Sequence, residues 1–281
     1  MRVIRNVKKM QAISRSLKRG GRSIGLVPTM GALHEGHVSL IRASVKDNDI
    51  TIVSIFVNPI QFGPSEDFNQ YPRPVSQDEA LCRKAGVDFI FQPSASGMYP
   101  PGFKTYVDVR ELGDVLCGAF RPGHFRGVTT IVAKLFNACS PDCAYFGQKD
   151  AQQAIILKRM AKDLNFPILI KVMPIVREKS GLALSSRNTY LSENSKRDAL
   201  VLSGSLKLAR ELVRKGARSP ALVIKRMGNM INSKKPAKID YISIVDNEHL
   251  KPVKKIQGAC LIAVAARFGK TRLIDNITVR P

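Results

Sequence analysis

The chain has 281 residues, 44% of them hydrophobic, with a formal net charge of +23 and a pI near 10.2. That length supports a stable core in one large domain or two modest ones, and no apolar run approaches the roughly 20 residues needed to span a bilayer, so a membrane protein is excluded as an expectation. Five scattered cysteines with no visible leader argue against a disulfide framework and point to a reducing compartment, the cytoplasm. A field of this sign attracts nucleic acid or polyphosphate nonspecifically. From Lys196 to Lys238, however, the basic residues spread along a helical pattern without interleaved aromatics. A solvated face is expected there, and no specific nucleic-acid binding.

In chain order, Val7, Met10, Ile13 and Leu17 follow a helical period that stops at Gly20 and Gly21. Strand-like runs then alternate with helical ones: SIGLVP, a helix after Gly36, DITIVSIFVNP, a helix from Pro74 to Ala85, and VDFIFQP. After a loop-rich insert come a helix through VTTIVAKLFNAC, the strand CAYFG, the helix DAQQAIILKRMAKDL and a strand ILIKVMPIV ending at Val176. This is the βαβ rhythm of a parallel sheet buried on both faces. Beyond Val176 a polar loop leads to a long basic helical region reaching about Asn232, then strands near YISIV, ACLIAVAARF and TRLIDNITV, which predict a smaller α+β domain.

The segment VPTMGALHEGH sets His34 and His37 three residues apart where a strand gives way to a helix. A helix amino terminus offers unbonded N–H groups and about half a positive charge, which suits phosphate. Gly31 and Gly36 let the backbone approach a ligand, and the i, i+3 spacing puts both rings on one face. Two structural histidines would satisfy so short a pattern. Open parallel sheets bind ligands at such strand-to-helix switches, however, and the phosphate-site reading leads.

Asn58 and Gln61 follow the second parallel-type strand, where neutral amides suit a polar, uncharged substrate; Asn58 equally suits a turn. RPGHFRGV carries Arg121, His124 and Arg126 into a helix start, as an anion contact or a loop anchor. In FGQKDAQQ, Gly147, Lys149 and Asp150 repeat the strand-to-helix geometry, and Gln153 lies one turn beyond Lys149. Lys149 could neutralise charge on a transferring phosphoryl group. The loop Ser185 to Asn188, with Arg187, suits a polyphosphate clamp or an ordinary polar hinge. Cys139 and Cys143 lack the further ligands of a tetrahedral metal site and read as structural; no metal ligands are nominated.

In this order and spacing, VPTMGALHEGH, SIFVNPIQF, RPGHFRGV, FGQKDAQQ and LALSSRN resemble the pantothenate synthetase (pantoate–β-alanine ligase) family over essentially the whole chain. HxGH alone is shared with other nucleotidyltransferases and class I aminoacyl-tRNA synthetases; five motifs in register are far more specific. The resemblance implies an α/β fold with a Rossmann-like parallel-sheet domain at 1–177 binding ATP and pantoate, a smaller α+β C-terminal lid domain at 178–281, and a homodimer. It implies ATP-dependent condensation of (R)-pantoate with β-alanine to pantothenate, AMP and pyrophosphate through a pantoyl adenylate.

On that resemblance, ATP is bound by Met30, Gly31, Ala32, Leu33, His34, Glu35, Gly36 and His37, and by Gly147, Gln148, Lys149, Asp150, Val176, Leu184, Ser185, Ser186 and Arg187. His34, His37, Lys149 and Arg187 would be catalytic, while Gln61, Gln153 and Asn58 would hold pantoate and border the β-alanine path. Mg²⁺ is expected to bind mainly through phosphates. Three positions depart from the family pattern: Gln148 in place of Glu, Ala151 in place of Tyr, and Ser180 in place of Asp. They put affinity and rate in question, and Ala151 could leave a gap beside the substrate. An HxGH transferase with another acceptor, and a nucleic-acid-binding protein supported only by charge, are the competing readings.

Overall fold

The computed structural model describes residues 1–64, 66–234 and 237–281. They form two compact units: Met1–Asp114, Arg121–Gly147 and Ile156–Pro174 make the first, and Val115–Phe120, Gln148–Ile155 and Ile175–Pro281 the second. Among the described residues no helix is long and apolar enough to cross a membrane.

The first unit is built on six parallel strands: β1 (Arg2–Ile4), β2 (Ile24–Thr29), β3 (Ile50–Ile55), β4 (Phe89–Phe91), β5 (Cys143–Gly147) and β6 (Leu169–Met173). Their order is β1-β4-β3-β2-β5-β6, and every pairing is parallel. Successive side chains of a strand point to opposite faces. Leu26, Ile52, Phe89 and Phe146 accordingly join one buried cluster, with Met10 of α1 (Val7–Arg19) and Val132 and Phe136 of α6 (His124–Cys139). Their neighbours Val27, Val53, Ile90 and Tyr145 join another, with Ile41 of α2 (Glu35–Asp47) and Cys82 of α3 (Val75–Lys84). Both faces being apolar explains why these strands read as continuous hydrophobic runs.

The expected helices and parallel strands are present, with two differences. Strand β1 has three residues, too few for a periodic signal. The sixth strand ends at Met173 and not at Val176, because its partner ends at Gly147, opposite Met173, and Pro174 has no N–H to extend a ladder. The chain winds outward in both directions from β2, so the switch point lies at the carboxyl ends of β2 and β5. Short helices α4 (Ala95–Met98) and α5 (Cys117–Phe120) flank the insert, and α7 (Ala151–Asp163) follows β5.

In the second unit, α8 (Glu193–Arg214) and α9 (Pro220–Asn232) precede an antiparallel sheet of β7 (Ala237–Asp246), β8 (Cys260–Phe268) and β9 (Thr271–Val279), in that order. The long helical region divides because Ser219 caps a new helix, its hydroxyl accepting from Leu222 N, with Pro220 in the first turn. Ile262, Val264 and Ala266 of β8 pack with Leu202, Leu206, Val223 and Met227 of the two helices.

Candidate active site

Strand β2 ends at Thr29, whose hydroxyl donates to Ser54 O at 2.7 Å and accepts from Gly31 N at 3.2 Å. The chain then turns through two left-handed residues, Gly31 at φ +84° and Ala32 at φ +50°. That turn aims two consecutive N–H groups at one buried carboxylate: Ala32 N donates to Asp78 Oδ2 at 2.9 Å and Leu33 N to Oδ1 at 2.7 Å. Burial pushes the Asp78 carboxyl above its ordinary range, and these two hydrogen bonds pull the other way.

His34 caps α2, and His37 is the third residue inside it. His34 Nδ1 accepts from Gly36 N at 3.1 Å, and His37 Nδ1 accepts from His34 N at 3.3 Å. This reciprocal capping brings the ring centroids to 4.1 Å. Because backbone N–H can only donate, both Nδ1 atoms are acceptors, and each neutral ring carries its hydrogen on Nε2. Glu35 turns outward to an exposed ion pair with Arg42. The pair thus stands as the sequence predicts, but the spacing did not reveal that each ring also closes the helix start.

Asn58 and Gln61, both buried, belong to the same neighbourhood. Asn58 Nδ2 donates to Gln61 Oε1 at 2.9 Å, Tyr99 Oη donates to Asn58 Oδ1 at 2.7 Å, and Gln61 Nε2 donates to Met30 Sδ at 3.1 Å. From behind, His124 Nδ1 donates to Gln61 O at 2.8 Å, and its Nε2 lies 3.1 Å from Arg121 Nη1. Arg121 also makes a two-pronged ion pair with Glu66. Burial raises the Glu66 carboxyl, but the Arg121 guanidinium outweighs it and holds the group below its ordinary range. Arg121 and His124 are therefore loop anchors, and Arg126 stacks 4.0 Å above the Tyr106 ring. Gly127 lets α6 lie against this loop: a Cβ there would sit 2.4 Å from Ile60 O and 2.6 Å from Gln61 Cα.

In the second unit the turn Gln148–Asp150 precedes α7. Asn276 of β9 braces it, Nδ2 donating to Gln148 O and Lys149 O, each at 2.9 Å, while Gln148 Nε2 donates to Asn276 Oδ1 at 3.0 Å. Lys149 Nζ lies 3.6 Å from Asp150 Oδ1. Of the two glutamines that follow, Gln152 bonds Cys117 N and Val115 O at 3.0 and 2.7 Å, whereas Gln153 is half-buried on α7. Ala151 is buried.

The loop Val176 to Arg187 is tied to the same strand β9. Leu184 N donates to Val176 O at 3.0 Å, and Arg177 grips the buried Asp275 at 2.6 and 2.9 Å. Ser185 caps the 3₁₀ turn Ser186–Tyr190, accepting from Arg187 N at 3.3 Å. Ser180 makes long contacts, to Glu178 and Leu182 N at 3.4 and 3.5 Å. Sequence reasoning missed Asp78, Asn276 and Asp275; none stands in a motif, and each is recruited by the tertiary fold.

A parallel sheet with a histidine-capped helix start at its switch point is the arrangement of an HxGH-type nucleotide-binding α/β protein. A family model described as pantoate–β-alanine ligase matches residues 2–278. The chain belongs to that family. Pantothenate synthetase of Caldicellulosiruptor bescii is 53% identical over 279 residues, 99% of each chain. That of a Sulfurihydrogenibium species is 55% identical over 278 residues, again 99% of each. The crystal structure of pantothenate synthetase from Thermus thermophilus superposes with a TM-score of 0.95 at 42% identity, covering 100% of both chains. The pantoate–β-alanine ligase of Francisella tularensis, complexed with β,γ-ATP and β-alanine, gives 0.82 at 37% identity over 99% of this chain and 97% of that one.

Proposed function

We propose that this chain condenses (R)-pantoate with β-alanine by way of a pantoyl adenylate, releasing pyrophosphate and then AMP. The condensation is the family's reaction, and a relative with ATP and β-alanine bound supports both substrates. The observation that carries the reading is the pair His34 and His37 capping a helix start beside the neutral amides of Asn58 and Gln61.

Pantoate carboxylate attacks the α-phosphorus of ATP, a P–O bond to pyrophosphate breaks, and the amine of β-alanine then attacks the acyl carbon to expel AMP. A carboxylate is already a nucleophile at neutral pH, so the barrier is charge repulsion, and electrostatic stabilisation should dominate. The Nε2–H groups of His34 and His37 would donate to oxygens of the reacting phosphate. Lys149 and Arg187 would neutralise its charge, with Met30 to His37, Gly147 to Asp150, Val176 and Leu184 to Ser186 completing the nucleotide site. Asn58, Gln61 and Gln153 would hold pantoate and border the β-alanine path. Asn58 holds the Gln61 carboxamide oxygen as a donor would, which fixes the orientation of that amide.

Among the described residues no group of three or more His, Cys, Asp or Glu side chains could hold a metal ion. Magnesium, expected mainly on the phosphate oxygens of ATP, would lower their charge there. A cytoplasmic homodimer without specific nucleic-acid binding completes the reading. Purified protein with ATP, magnesium, pantoate and β-alanine should yield pantothenate and AMP by mass spectrometry, with no product when either acid is left out. ATP turnover without pantothenate would overturn the choice of acceptor.

A further inference from the structure

We propose that Asp78 is a positioning residue for the adenylation step: it holds the Gly31–Leu33 turn so that His34 and His37 are set for the reacting phosphate. The proposal rests on the ligase reading above for its reaction, though not for its geometry.

Asp78 lies on α3, only 1% exposed, and no salt bridge to it occurs among the described residues. A buried carboxylate without a cation is costly unless hydrogen bonds hold it. Here both oxygens are spent on adjacent backbone N–H groups, Ala32 on Oδ2 and Leu33 on Oδ1. Consecutive N–H groups converge in this way when the backbone passes through left-handed residues, which makes a concavity suited to an anion. Asp78 fills that concavity from within the protein. The fit is tight: a Cβ on Gly31 would come within 2.9 Å of Asp78 Oδ2.

The titratable neighbours do not supply a compensating cation. Cys82, one turn along α3, is itself pushed up to about 12 by burial and then by Asp78 and Glu79. The carboxylate is thus held by the turn, and the turn by the carboxylate. Leu33 leads directly to His34, whose cap bonds with Gly36 and His37 fix both rings. A shift of about 1 Å at a reacting group costs on the order of 10²-fold in rate, so a slack turn should be felt in kcat.

Asp78→Asn keeps the volume but turns one acceptor into a donor facing an N–H. The expected result is a fall in kcat of about 10- to 100-fold, with KM for pantoate and β-alanine held within about twofold. A stabilising residue without a positioning role would lower the unfolding midpoint and leave the histidines alone. The imidazole ¹⁵N resonances therefore decide: those of His34 and His37 should move, while those of His124 and His249 stay in place. Unchanged kcat, or unmoved His34 and His37 resonances, overturns the proposal. If Asp78→Asn does not fold, Asp78→Glu keeps both acceptors but lengthens the side chain in the same tight site and should displace the same two resonances; if it does not, the proposal fails. If the wild-type protein makes no pantothenate, the ligase reading falls, and the resonances still report whether Asp78 sets the two rings.

Discussion

After β2 the chain turns into α2 in front of a buried carboxylate, whereas after β5 it turns toward α7 in front of a neutral amide. The two turns follow neighbouring strands of one sheet and carry the two motifs whose sequence points to phosphate. Their braces differ because they turn different backbone groups inward. Left-handed Gly31 and Ala32 direct N–H groups back, which calls for an acceptor, and Asp78 supplies two. The 3₁₀ turn at Gln148–Asp150 directs carbonyls back, which calls for donors, and Asn276 Nδ2 supplies them. The brace is thus complementary to the backbone and indifferent to the side chain presented, whether imidazole or ammonium.

The comparison is tested most severely at the presented groups. Losing a preorganised donor costs about 10²–10³ in rate, so His37→Ala and Lys149→Ala should each lower kcat/KM by at least that much in a pantothenate-formation assay. Near-native turnover in either variant would remove that turn from the reacting centre. One step back, Asn276→Ala leaves two inward carbonyls without their donor, at a cost of about 1–3 kcal/mol in urea unfolding, with weaker ATP binding by calorimetry. An unaltered ATP affinity would mean that the Lys149 turn keeps its shape without the brace.

Acid should separate the two braces. Burial raises the Asp78 carboxyl above the ordinary aspartate value of 3.8, so the folded chain holds that proton more tightly than the unfolded one. Its contribution to stability is then greatest below that value and is lost as pH rises through the native one. The wild type should gain stability relative to Asp78→Asn as pH falls, while Asn276→Ala, which removes no titrating group, should show a constant difference. Urea unfolding on both sides of pH 3.8 reads this slope. The smallest effect is expected from Gln148→Ala, which removes the donor to Asn276 Oδ1 and should cost about 1 kcal/mol or less.

The presented groups were legible in the sequence and the braces were not. VPTMGALHEGH announces its strand, its glycines and its helix start within eleven residues, because strand exit and helix capping are local events. Asp78 is 46 residues from Ala32, and Asn276 is 128 from Gln148, inside runs that read only as a helix and a strand. The sheet was legible because both of its faces are apolar; β1 was not, because three residues carry no period. RPGHFRGV left anion contact and loop anchor open, and only the Glu66 partner resolves it. The gap anticipated at Ala151 concerns a side chain that is buried among its neighbours.

The close approach at Gly127 bears on how this protein could be re-engineered. Because the sixth helix touches the backbone of Ile60 and Gln61 directly, any side chain at position 127 would push the loop away from a helix with thirteen buried residues. Position 127 therefore offers no adjustable wall beside Asn58 and Gln61: any larger residue there should displace the loop that carries them. Residues 58 and 61 are themselves buried against it, Asn58 Nδ2 donating to Gly127 O at 3.1 Å, so their variation would disturb this contact as well. The glycine makes the floor beneath the Asn58 and Gln61 amides a fixed datum, against which redesign of the rest can be measured.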